Sequence, residues 1–141
     1  MLASFIINSL LVTTAVLIHY EMLYRSSILI PKLTIRHRFR VVFGIFCALI
    51  AHITEIWLFA FGYFFMVRSD LFGTLTGEFD MSLLDCTYYS FVTYTSLGLG
   101  DITPIGPIRF LTGLEALTGL MLITWTASFM FLEMQKFWDK K

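Results

Sequence analysis

Charge is scarce in this chain. Of 141 residues only 14% are Asp, Glu, Lys or Arg while 57% are hydrophobic, and the formal net charge is zero. That composition lies well outside the soluble globular range and excludes an ordinary solvated surface. Cysteine is limited to Cys47 and Cys86. Their placement offers neither a disulfide framework nor a spaced metal motif, so both read as free, buried thiols. Internal repeats, low-complexity runs and soluble catalytic motifs are missing as well, which leaves no catalytic residue to nominate.

Long apolar runs take the place of charge. Mean hydropathy is +0.79, and three stretches, 2–23, 41–67 and 108–132, each reach the ~20 helical residues needed to cross a hydrocarbon core of about 30 Å. A fourth segment, 82–95, is too short to span and suits a re-entrant half-helix. Arg25, Lys32, Arg36, Arg38 and Arg40 crowd the first connection, and Lys136, Lys140 and Lys141 the carboxyl end, so both are expected in the cytoplasm. The loop 68–80 carries Asp70, Glu78 and Asp80 against Arg68 and is expected outside, together with the amino terminus. A signal peptide is the rival reading of the first run, but it lacks a basic leading region and a small-residue cleavage site.

Between the second and third runs stands Thr95-Ser96-Leu97-Gly98-Leu99-Gly100-Asp101. Two glycines one residue apart permit a strand of alternating left- and right-handed dihedrals, because glycine enters the left-handed region without a Cβ clash. Such a strand turns successive carbonyl oxygens toward one axis. The motif resembles the selectivity filter of potassium channels, and its Gly-Leu-Gly is similar to the second pore loop of some two-pore-domain channels. Family filters usually read Thr-Val-Gly-Tyr-Gly-Asp, so Ser96, Leu97 and Leu99 depart from the pattern. Ser96 keeps a hydroxyl, Leu97 an apolar side chain packed behind the strand, and Leu99 loses the aromatic donor that holds the filter's width.

Ser82 and Asp85 fit a capping box that starts the pore helix. Tyr88 and Tyr89 occupy places where the family often has tryptophans, and with Tyr94 they can brace the filter. Asp101 matches the family's outer-mouth aspartate. Val92 stands where some bacterial channels place its glutamate partner, so Asp101 requires another, such as a tyrosine or water. Aligning Arg109 with the arginine that opens the family's inner helix places Gly119 at the hinge glycine, although close helix packing explains a membrane glycine equally well. Gly119, Ile123, Thr126, Ala127 and Met130 recur at helical spacing as candidate cavity residues, with Ala127, Met130 and Phe131 available for a hydrophobic gate.

His52 and Glu55 share one face of the second run, and Glu115 lies inside the third. Charge there is costly, so these groups must be neutral, paired or wet. Two readings stand: a hydrogen-bond network in which they satisfy one another and the pore-helix hydroxyls, or a proton or metal switch coupled to the filter. His19 and Glu21 sit near the cytoplasmic end of the first run, from which they can snorkel.

The resemblance covers 41–132 and implies an all-α membrane protein: three transmembrane helices, a re-entrant pore helix and a filter loop, assembled as a homotetramer. The expected parts are an N-terminal helix and basic loop (1–40), an outer helix (41–67), a pore helix (82–95), a filter (96–101), an inner helix (107–132) and a short tail (133–141). The implied function is passive potassium conduction in the plasma (inner) membrane, with K+ as the only bound group, no organic cofactor, no transition metal and no enzymatic activity. Expected partners are further copies of the chain and lipid, with anionic headgroups at 25–40, and no nucleic acid. No span carries the arginine row of a voltage sensor, and no regulatory domain is expected after the last span. Alternatives are a weakly selective cation channel, prompted by Leu99, and a non-conducting scaffold or metal-handling protein, prompted by His52, Glu55 and Glu115.

Overall fold

The computed structural model describes residues 2–69 and 71–138. Asp70, Lys140 and Lys141, which entered the charge reading, lie outside the described residues. The fold is all-α: α1 (Leu2–Leu29), α2 (His37–Val67), α3 (Leu83–Tyr94) and α4 (Ile108–Trp138). Three of the helices are long and apolar enough to cross a membrane, within Leu2–Lys32, Arg38–Val67 and Ile108–Lys136. The chain is a membrane protein in which α3 is the short exception, cradled between α2 and α4.

Each long helix overruns its apolar core. At 1.5 Å per residue, the 31 residues of α4 reach about 46 Å, beyond a hydrocarbon layer of about 30 Å. The basic connection is correspondingly shorter than 25–40. Arg25 lies on α1, paired with Glu21 at 2.6 Å, and Arg38 and Arg40 lie on α2. Only a single 3-10 turn, Ile30–Lys32, and four residues separate the two helices, because straight-chain Arg side chains prolong a helix as readily as they leave it.

One element is absent from the sequence reading. Thr74–Gly77 (β1) pairs antiparallel with Ile102–Ile105 (β2), joining the chain before α3 to the chain just before α4. Four residues a side carry too little periodicity to announce strands. Buried side chains of α2 and α3, among them Phe59, Tyr63, Cys86 and Tyr94, pack with Ile108 and Leu111 of α4 into one cluster, which Ala15 of α1 also joins.

Candidate functional site

Helix α3 begins at a true N-cap. Ser82 Oγ accepts from Asp85 N at 3.0 Å, but Asp85 does not close the box on Ser82; its carboxylate accepts from Asp80 N at 2.8 Å instead. The helix ends in a Schellman turn, with Leu97 N donating to Val92 O and Ser96 N to Thr93 O, both at 2.9 Å. That turn requires its second-last residue to be left-handed, which accounts for Ser96 at φ 58° despite its Cβ. Gly98 and Gly100 follow at φ 58° and 82°, while Leu97 and Leu99 between them stay out of that region. The helix cap thus delivers the backbone directly into the alternating conformation.

Tyr88 Oη donates to Asp101 Oδ2 at 2.6 Å, tying α3 to the end of the loop that follows it. This bond holds the Asp101 carboxyl below its ordinary range and raises the Tyr88 phenol above its own. Tyr89 borders the same stretch, in a cleft it shares with Ser96, Gly98 and Gly100. It is buried, and its hydroxyl meets Thr112 Oγ1 of α4 at 3.0 Å. Leu97 and Leu99 are 63% and 59% exposed, so the packing expected behind Leu97 does not come from within one chain. A cleft of about 410 Å³ instead lies alongside the strand, lined by Tyr88, Val92, Ser96, Gly98, Gly100 and Asp101 among others.

Met130 corrects the cavity assignment on α4. Thr126 turns toward His52 and His19, and Met130 is buried beside Gly44 of α2. Gly119 is buried against the pore helix, where an added Cβ would overlap the Tyr94 carbonyl. Gly119 and Met130 belong to the packing stripe of α4, Thr126 borders one cavity with Ile123 and Ala127, and Ile123, Ala127 and Phe131 are exposed.

The buried polar groups divide into two sets, not the one set of three expected. Glu115 lies apart from His52 and Glu55: it accepts from Ser90 Oγ of the pore helix and from Tyr63 Oη of α2, the latter at 2.5 Å. Ser90 lies more than a turn and a half before Ser96, so the Glu115 hydrogen bonds meet α3 within its length and not at the 96–101 loop. Glu55 accepts from Tyr94 Oη, at the last residue of α3, and from His19 Nδ1 at 2.9 Å. His52 Nδ1 meets Tyr94 Oη at 2.9 Å, its Nε2 meets Thr126 Oγ1 at 3.0 Å, and Thr126 Oγ1 meets His19 Nε2 at 3.2 Å. The five side chains close a ring drawn from all four helices.

His19 is the functional candidate that sequence reasoning missed. It does not snorkel; it is fully buried. Its position on a run without a strong hydrophobic face gave no cue, although the lone unpaired acid of α2 facing inward called for a partner.

A family model described as "Ion channel" matches residues 51–136. No curated protein and no solved structure matches the chain.

Proposed function

The chain belongs to the ion channel family, and from that premise we propose that it is a potassium-selective channel conducting K+ passively as a homotetramer. The observation that carries this reading is the left-handed backbone at Ser96, Gly98 and Gly100 alternating with Leu97 and Leu99. Backbone of that kind directs successive carbonyls to one side, where they replace the hydration shell of a dehydrated cation. One strand cannot encircle an ion, so closure requires copies related by rotational symmetry. The exposed Leu97, Leu99 and Phe91 beside the cleft at the strand support such a neighbour.

Cations pass in single file between carbonyl sites of residues 96–100, with the carbonyl end of α3 facing the waiting ion. The Tyr88–Asp101 bond fixes the outer mouth. Ile123, Ala127 and Phe131 line the inner vestibule. The protein resides in the plasma (inner) membrane with the basic α1–α2 turn and carboxyl end in the cytoplasm and the amino terminus outside. Arg25, Lys32, Arg36, Arg38 and Arg40 favour anionic headgroups there. No organic cofactor takes part.

Leu99 supports a second reading, a cation channel of relaxed selectivity, because leucine has no donor with which to hold the filter's width. Flux from liposomes separates them. Potassium flux that barium blocks and sodium cannot replace meets the first reading, equal sodium and potassium fluxes meet the second, and no flux from verified tetramers overturns both.

A further inference from the structure

His19, His52 and Glu55 bring one ligand atom each into a group whose members all lie within 4.8 Å of one another. His19 and Glu55 are fully buried, and the His52 side chain is only 15% exposed. Both imidazoles present Nδ1 to the same carboxylate, His19 at 2.9 Å from Oε1 and His52 at 3.3 Å from Oε2. Tyr94 Oη lies 2.9 Å from His52 Nδ1 and donates to Glu55 Oε2. A tetrahedral ion with bonds of ~2.0–2.1 Å sets its ligands roughly 3.3 Å apart. The two imidazole–carboxylate contacts, at 2.9 and 3.3 Å, and the His52–Tyr94 contact, at 2.9 Å, stand near that spacing, while the Tyr94–Glu55 hydrogen bond is closer and would open to admit an ion.

The far side of the rings decides what the centre suits. Both Nε2 atoms converge on one hydroxyl, Thr126 Oγ1, at 3.0 and 3.2 Å. When each neutral imidazole carries its hydrogen on Nδ1, two Nε2 lone pairs face a hydroxyl that has a single hydrogen to give. When both Nδ1 atoms bind a metal, each ring keeps its hydrogen on Nε2, and the two lone pairs of Thr126 Oγ1 accept both. Outer contacts of this kind fix the tautomer of metal-bound histidine.

We propose that His19, His52 and Glu55, with Tyr94 Oη as the adjacent fourth donor, form a buried site for a divalent transition metal of the Zn2+ class. Imidazole and carboxylate donors suit that class, and the potassium of the pore, a hard and weakly bound cation, does not compete for them. Thr126 is the positioning residue. The site joins α1 to the final residue of the pore helix, so a bound ion clamps the N-terminal helix, which lies outside the family match, to the base of the filter loop. Nothing in this assignment depends on potassium conduction.

The test is metal loading of the full-length protein. Chain stripped with EDTA, incubated with ZnCl2 and desalted is expected to retain about one Zn2+ per chain, and CoCl2 in its place is expected to give the intense visible bands of a tetrahedral site. The double variant Cys47→Ser, Cys86→Ser is expected to load equally, which excludes thiol ligands. His19→Asn is expected to abolish the visible bands. Thr126→Val is expected to weaken loading ~10–100-fold while keeping the band shape, with rescue by Thr126→Ser. Failure of the unaltered chain to retain Zn2+ or to give tetrahedral Co2+ bands overturns the proposal, and so does undiminished loading in folded His19→Asn.

Discussion

The carbonyl oxygen of Tyr94 occupies the space that a side chain on residue 119 would fill. Gly119 is therefore a contact requirement between α4 and the end of α3. Gly119→Ala is expected to push these elements apart and to cost about 1–3 kcal/mol, the usual range for overpacking. Thermal unfolding of the purified protein reads the loss, and liposome flux reads the displaced filter. An unchanged melting temperature together with unchanged flux would show slack in this contact.

Gly98 and Gly100 separate strain from space. Nothing lies within 4 Å of a Cβ added at either position, yet both φ values are positive. Gly98→Ala and Gly100→Ala are expected to cost about 1–2 kcal/mol each through left-handed strain alone and to reduce flux sharply while the chain stays folded. Circular dichroism beside flux from the same preparation checks this.

The Tyr88–Asp101 bond predicts a shift with pH. The bond lowers the Asp101 pKa, so the native contribution of the carboxylate is present above the unfolded pKa and is lost as pH falls through the lower folded value. Tyr88→Phe removes the donor and is expected to move external-pH inhibition of current upward, toward the ordinary aspartate range near ~4. An identical pH profile in the variant would mean that Asp101 does not set the charge of the mouth.

Glu115 keeps two hydroxyl partners in a dry site. Tyr63→Phe leaves one carboxyl oxygen unsatisfied and is expected to destabilise by about 1–3 kcal/mol. Ser90→Ala is expected to act in the same direction, and the double variant to depart from additivity because both groups serve one carboxyl. Denaturant unfolding of the four proteins measures the cycle.

Much of the architecture was legible because the membrane enforces simple rules. Apolar length marks the long helices, and Ser82 marks the start of α3. The Gly98/Gly100 pair marks the left-handed backbone. The polar contacts were harder. His52 and Glu55 are neighbours by helical spacing, but His19 meets Glu55 only because α1 packs across α2, and no periodicity encodes that crossing. Glu115 was grouped with the wrong acid for the same reason: its depth along α4 fixed its level and not its azimuth. The β1–β2 pair was invisible because four-residue strands owe their form to the loop ends they join.

That β1–β2 pair has a mechanical consequence. By joining residues 74–77 to 102–105, it gathers the ends of everything between them, so the intervening chain is a closed excursion with a narrow neck. Closing a loop costs entropy only once, when its ends first meet. A displacement of either end of the 78–101 excursion is therefore shared with the other through two paired backbones.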